Sequence, residues 1–440
     1  MTLIYYIIFI FLSIFHKQLC LELTSTINDF NDPLILTPLI KKGNISYAQN
    51  AAKVKPLMGD INSYAGFFTV DKRYNSNLFF WFFPTANKNK NSPLILWLNG
   101  GPGVTSIMVG LFEGHGPYYL AENGTLIYRK HNWVSDHSVI YIDNPVGTGF
   151  SFSDPEGISR TQADVAKNLY AGLVQFFELF PEYRSNSFFV AGESYAGKYV
   201  PALCYEIHMK NSKAEFKINL IGLAIASGYS DPKHMIEGIG EYYYQMGFID
   251  QNEKVFYNNF SKIICDLIDK KLWLSAKNKM TELHFKFLDL SGFSSFYNIL
   301  KYEHYSPFEK LDKFMQKDVV KKSLHVGNKT FTSYSNDVMI AMSENVMISV
   351  KPMLEILLEN YRVLYYYGQL DLITSYPLAV NVFNNLNWSG SGEYKNATRK
   401  KWFVKNTLAG YSKTVKNFTE VLVRNAGHLI SSDQPIRALE

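Results

Sequence analysis

An α/β fold, built on a mixed and mostly parallel sheet flanked by helices and carrying an inserted helical cap, is what this sequence predicts, on three observations. Apolar runs of strand length recur in both halves of the chain, and several are continuous rather than alternating, as a sheet covered on both faces requires. Helical periodicity fills the spaces between them, which is the order of an α/β layer structure. After Asp231-Pro232 strand alternation gives way to a long helical stretch.

Taken in order, residues 2–15 form an almost unbroken apolar run closed by His16, Lys17 and Gln18. The run is short for a membrane span and lies at the extreme N-terminus, so residues 1–20 are expected to be a signal peptide, with a retained signal anchor as the alternative. Residues 21–231 form the first part of the core. Within it, 21–60 are polar and mixed and suit an arm wrapping the surface, and strands follow at 65–70, 78–83, 94–98, 139–142, 188–191 and 218–226. A helix is expected over 161–180, with Ser159 or Thr161 as cap and Pro181 as stop, and another over 198–209. Residues 232–336 are the cap. Residues 337–440 complete the core, with a helix at 337–359, strands at 362–367, 401–404 and 419–424, and a helix beginning near Gln434.

Composition narrows the function classes. The chain is 47% hydrophobic and 19% charged, without heptads or low-complexity tracts, and its 15% aromatic content supplies a large core and an apolar cleft. A net charge of +5 over 440 residues, with no basic block interleaved with aromatics, argues against nucleic-acid binding. No later stretch is long enough for a stable membrane span. Asn-x-Ser/Thr sequons at Asn44, Asn123, Asn259, Asn328, Asn387, Asn396 and Asn417 fit a secretory route. With Cys20 in or beside the signal segment, Cys204 and Cys265 remain, either as a pair or as buried thiols.

The most informative segment is Phe189-Val190-Ala191-Gly192-Glu193-Ser194-Tyr195-Ala196-Gly197. It joins a buried strand to a helix, with small residues at Gly192, Ala196 and Gly197. On so tight a turn Ser194 is pushed out above the sheet edge, which is how a nucleophile is presented. A serine needs a base and a group that orients that base. His428, after the strand 419–424 and the Ala426-Gly427 step, is the candidate base. Asp371, just past the strand 362–367, is the candidate acid. The order Ser…Asp…His is that of the α/β-hydrolase fold, and the rival Asp143 precedes Ser194 and breaks it. Asp143 is read instead as tying down the Asn144–Gly149 turn.

Gly192-Glu193-Ser194-Tyr195-Ala196-Gly197 resembles the nucleophile segment of the serine carboxypeptidases. Four further segments agree in family order: Trp97-Leu98-Asn99-Gly100-Gly101-Pro102-Gly103, Asn144-Pro145-Val146-Gly147-Thr148-Gly149-Phe150-Ser151, Tyr367-Gly368-Gln369-Leu370-Asp371 and Asn425-Ala426-Gly427-His428. Within the family the chain looks most like the vitellogenic-like and lysosomal members. The resemblance implies an α/β-hydrolase fold, no metal and no cofactor, peptide or protein C-termini as substrate, and a secreted or lysosomal/vacuolar location. It implies an oxyanion hole from the amides of Gly101 and Tyr195. It also implies a site for the substrate carboxylate made by Asn99, Gly100, Glu193 and Glu113. Two glutamates beside a substrate carboxylate repel, so one must be protonated and binding should favour acid.

The chain departs from the family pattern in places. Relatives read Gly-Leu-Phe-x-Glu-His-Gly-Pro, whereas this chain reads Gly110-Leu111-Phe112-Glu113-Gly114-His115-Gly116-Pro117. Counted from Gly103, Glu113 is in register; counted back from Pro117, Gly114 is. Val104 stands where some relatives have cysteine, the family's several disulfides cannot form, and Ala226-Ser227-Gly228 replaces Gly-Asn-Gly. The expected activity is release of C-terminal residues through an acyl-enzyme on Ser194. The alternatives are transfer of the acyl group to an alcohol or amine, or a binding or protective protein of weak activity.

Overall fold

The computed structural model describes residues 31–303 and 308–440, so the signal-peptide expectation for residues 1–20 lies outside the described residues. Among the described residues there are twelve strands: β1 (Tyr64–Asp71), β2 (Ser76–Phe83), β3 (Leu94–Leu98), β4 (Tyr118–Leu120), β5 (Leu126–Tyr128), β6 (Ser138–Ile142), β7 (Phe188–Glu193), β8 (Leu220–Ala226), β9 (Arg362–Gly368), β10 (Lys400–Val404), β11 (Thr407–Val415) and β12 (Phe418–Val423). Ten form one sheet in the order β1-β2-β6-β3-β7-β8-β9-β12-β11-β10, and β4 and β5 make a separate hairpin. The six central strands, β6 to β12, run parallel, and antiparallel strands close both edges.

Strand chemistry explains the two-sided core. Every residue of β2 is buried; Leu78, Phe80 and Phe82 pack into one cluster while Phe79, Trp81 and Phe83 pack into the other. A period of two with large apolar residues on both faces leaves no solvent face. The helix Gln162–Leu179 covers one side, opened by a reciprocal cap between Thr161 and Asp164. The arm at the N-terminal end forms two short helices, Thr37–Lys41 and Ile45–Ala52, with Ile40, Ala48 and Ala52 turned inward.

Between β8 and β9 the described chain is helical, dominated by the long helices Gln251–Asp269 and Trp273–Ser291. One expectation needs correction. The helix expected at 337–359 is broken into Asn336–Ala341, a short turn Glu344–Met347 and Lys351–Asn360. At the break the carbonyls of Asn345, Val346 and Ile348 accept from the buried Lys198 Nζ at 3.0, 2.6 and 2.6 Å, and Pro352 lies in the first turn of the next helix. Strand β11 was not expected, because Gly410 and its mixed Lys/Thr pattern hide an edge-region strand.

Candidate active site

Parallel register brings the site together. Leu98 pairs with Gly192, Glu193 with Ala226, Ala226 with Tyr366, and Val423 with Gly368. The C-terminal ends of β3, β7, β8, β9 and β12 therefore lie side by side, and the residues just beyond them are Asn99, Ser194, Ser227, Asp371 and His428. Open parallel sheets offer their sites at that edge.

Ser194 occupies the left-handed region at φ 63, an uncommon place for a residue with a side chain. The turn is held by Ser194 N–H donating to the Ala226 carbonyl and by the Ser194 carbonyl accepting from Tyr229 N–H, both at 3.0 Å. Gly100 packs against this elbow so closely that a Cβ there would collide with the amide nitrogen of Tyr195. Gly101, at φ +108, follows at the cavity wall.

Asp371 and His428 are both buried, and His428 Nδ1 lies 2.9 Å from Asp371 Oδ2. Asp371 Oδ1 accepts from the amides of Ile373 and Thr374 at 2.9 and 3.2 Å. The Thr374 hydroxyl lies 2.8 Å from both Asp371 Oδ2 and the Ser227 carbonyl. Ser227, standing where relatives carry asparagine, donates through Oγ to the His428 carbonyl at 3.1 Å. Burial alone pulls the His428 imidazole down; the Asp371 carboxylate, the hydrogen bond to it and Glu193 outweigh that and hold it above its ordinary value. Asp143 has a different setting: Thr105 Oγ1 donates to one oxygen and Phe150 N–H to the other. It ties the segment after Gly103 to the Asn144–Gly149 turn, and burial raises its pKa to about 7.

A cavity of about 290 Å³ is shared by Ser194, His428, Asn99, Gly101, Glu193 and Glu113. Asn99 Oδ1 accepts from the Trp97 indole at 2.9 Å, which fixes the amide so that Nδ2 is the group left toward the cavity. Glu193 is buried, and its Oε1 has no hydrogen-bond partner. Burial pushes its pKa up to about 8, opposed by His428 and reinforced by Asp371 and Asp433. Burial also raises Glu113, with Lys310 and Arg129 pulling back and Glu122 adding to the rise.

Glu113 lies on the wall of this cavity. Residues Ile107–His115 form a π-helix, whose wider turn accommodates one extra residue. Glu113 faces the cavity, while a Cβ on Gly114 would strike the Val109 carbonyl at 2.6 Å. His115 is stacked on Trp133 with ring centres 3.7 Å apart. Cys204 and Cys265 are both free and buried. Val104 forms an isolated bridge with Tyr334.

Sequence reasoning missed three neighbours of the site. Thr374 is three residues past Asp371, one beyond the Ile373 N–H that closes an Asx turn on the Asp371 carboxylate. Tyr297, whose ring stacks on the His428 imidazole at 5.1 Å and 20°, comes from the helical insertion and carried no signal. Asp433, whose carboxylate accepts from Gly427 N–H at 2.8 Å, was hidden among ordinary C-terminal residues. Among the described residues no cluster of potential ligands could hold a metal ion, and no helix is long and apolar enough to cross a membrane.

Comparison with known proteins shows the family. The sequence pattern of the serine carboxypeptidases matches residues 55–440. The venom serine carboxypeptidase of Apis mellifera is 46% identical over 94% of this chain and 90% of its own length. The probable serine carboxypeptidase CPVL of Homo sapiens is 42% identical over 94% and 89%, and the vitellogenic carboxypeptidase of Aedes aegypti 41% over 92% and 88%. Among solved structures, a prohormone-processing carboxypeptidase of Saccharomyces cerevisiae superposes with a TM-score of 0.80 at 25% identity, covering 89% of this chain and 94% of that one. With the pattern spanning most of the chain and these relatives matching nearly end to end, the protein belongs to the serine carboxypeptidases, α/β-hydrolase-fold enzymes that cut peptides at the C-terminus.

Proposed function

We propose that Ser194, Asp371 and His428 form the catalytic triad and that Asn99, Gly100, Glu193 and Glu113 hold the substrate's terminal carboxylate. His428 takes the proton of Ser194 as Oγ adds to the last peptide carbonyl, and Asp371 orients the imidazole and stabilises its cationic form. The amides of Gly101 and Tyr195 receive the developing oxyanion. His428 then gives its proton to the leaving nitrogen, and the C–N bond breaks. Water, deprotonated by the same imidazole, opens the acyl-enzyme and regenerates Ser194.

One observation carries the exopeptidase part of this reading: buried Glu193 lines the cavity that Ser194 and His428 share, and its carboxyl has an oxygen, Oε1, without a hydrogen-bond partner. A buried carboxyl without a partner is costly, and a protonated one can donate to a carboxylate. Met108, Val109, Phe308 and Leu429 also line the cavity, so apolar leaving residues are favoured. Binding is set against rising pH by ionisation of Glu193 near pH 8, and catalysis against falling pH by protonation of His428. The helical insertion acts as a cap that walls the cleft. A secretory location fits the seven sequon asparagines, every one of them exposed.

The test is mass-spectrometric release of the last residue from N-blocked peptides at about pH 4.5 and 7.5, with Ser194→Ala and a C-terminally amidated peptide as controls. Release that requires both Ser194 and a free terminus is expected. Equal release from the amidated peptide would overturn the carboxylate site; full activity of Ser194→Ala would overturn the triad.

A further inference from the structure

The loop spanning residues 294–302 follows the second long helix of the insertion and is tied shut at its base. The Tyr302 carbonyl accepts from both the amide and the hydroxyl of Ser294, at 2.8 and 2.9 Å. A loop closed on itself in this way is a compact body rather than a slack tether. It lies against both loops that carry the acid and the base. Leu372 N–H donates to the Phe296 carbonyl at 3.1 Å, and Ile299 N–H to the Leu370 carbonyl at 2.9 Å, gripping Asp371 from either side. His428 N–H donates to the Tyr297 carbonyl at 2.7 Å, and the Tyr297 ring covers the imidazole.

Asp433 joins the loop to the base. Its Oδ2 accepts from Gly427 N–H at 2.8 Å and from Asn298 Nδ2 at 2.9 Å, while its Oδ1 faces Lys301 Nζ at 3.0 Å. Its side chain is only 15% exposed. Asn298 is itself fixed, since its Oδ1 accepts from Leu300 N–H at 3.0 Å. The fit at the junction is close, because a Cβ on Gly427 would strike the Tyr297 carbonyl and Asn298.

We infer that Asp433 is a positioning residue that locks the 294–302 loop of the insertion onto the backbone presenting His428, so that the imidazole is placed by the insertion as well as by the sheet. A carboxylate with three donors on two separate pieces of chain holds both in one arrangement, and charged acceptors make the stronger hydrogen bonds. The insertion thereby does more than wall the cleft. Loss of the lock shifts or loosens His428, and displacements of an ångström are enough to cost about a hundredfold in rate.

The inference rests on His428 as base, and the experiment separates the two. A serine-directed phosphonate that lacks a carboxylate reports activation of Ser194 without involving Glu193 or Glu113. Its second-order rate is measured on the full protein for Asn298→Ala, Asp433→Ala, Asp433→Asn, the double variant Asn298→Ala/Asp433→Ala and His428→Ala, with a melting curve for each. His428→Ala is expected to abolish labelling. Asn298→Ala and Asp433→Ala are expected to slow it at least about tenfold, and the double variant is expected to be no slower than Asp433→Ala alone, as a shared contact requires. Asp433→Asn, which keeps an acceptor for Gly427 N–H, should recover part of the loss. Wild-type rates for folded Asn298→Ala and Asp433→Ala, with His428→Ala dead, would overturn the lock and leave the triad standing. Undiminished labelling of His428→Ala would overturn the base and the lock with it. Should Asp433→Ala not fold, Asn298→Ala carries the test, because it removes one donor and leaves the carboxylate paired.

Discussion

Glu193, proposed above to hold the substrate carboxylate, also bears on stability. Its folded pKa of about 8 lies above the ordinary 4.5 because burial penalises the carboxylate. Below about pH 4.5 folded and unfolded chains both hold the proton. Between there and about pH 8 the unfolded chain releases it while the folded chain keeps it, so the folded state binds more protons and stability must fall as pH rises across that window. Glu193→Gln removes this dependence. Its melting temperature should match the wild type in acid and gain on it steadily up to about pH 8; parallel curves would show that the group does not titrate as described. The same variant keeps a donor at every pH, so its KM for free-acid peptides should rise less steeply with alkali than the wild-type KM. Gly100 supplies a second residue-scale expectation. A methyl group there meets the Tyr195 amide, so Gly100→Ala should lower kcat by about a hundredfold or more, as loss of an oxyanion donor does, with an unchanged fold by circular dichroism.

At the scale of elements, the π-helix Ile107–His115 decides which side chain reaches the cavity. A hydrogen bond to a charged partner contributes about 1.5–3 kcal/mol, so Glu113→Ala should raise KM for free-acid peptides by about ten- to a hundredfold. It should leave the phosphonate rate near wild type, and an equal fall in both would assign Glu113 to the triad's support instead. This element also marks the limit of what the sequence discloses. Apolar runs located β1 to β3, β6 to β9 and β12 within a residue or two, because strands with apolar residues on both faces read as near-continuous apolar runs. The places of Ser194, Asp371 and His428 beyond the sheet edge were legible because each follows such a strand. The π-turn was not, since one extra residue spread over two turns leaves hydrophobic periodicity nearly intact. The broken 337–359 segment was misread for a similar reason: carbonyls at its break accept from Lys198, a partner distant in sequence. Tyr297 and Asp433 matter through contacts between the insertion and the C-terminal loop, which no local pattern encodes.

For the molecule as a whole, the question is whether a cross-link helps hold the insertion to the core. Cys204 lies in the helix that follows Ser194 and Cys265 in the first long helix of the insertion, and both are free thiols. Burial pushes the Cys265 thiol up to about 12 and the Cys204 thiol further still, so neither presents the thiolate needed for exchange. A chain of this size buries enough apolar surface on the two faces of its sheet to dispense with covalent staples. The insertion is held instead by packing: Tyr243, Tyr257, Ile264 and Phe287 belong to the same buried cluster as Leu96 and Leu98 of the sheet. Had the two cysteines paired, closing the intervening loop would stabilise the fold by roughly 4 kcal/mol, and reduction would lower the melting temperature by several degrees. Melting should instead be the same with and without reductant. Alkylation without reductant should spare Cys204 and Cys265 in the native protein and mark both after unfolding in denaturant. A melting temperature that drops on reduction, with the two cysteine peptides unmarked until then, would mean that the insertion is stapled to the core rather than packed against it.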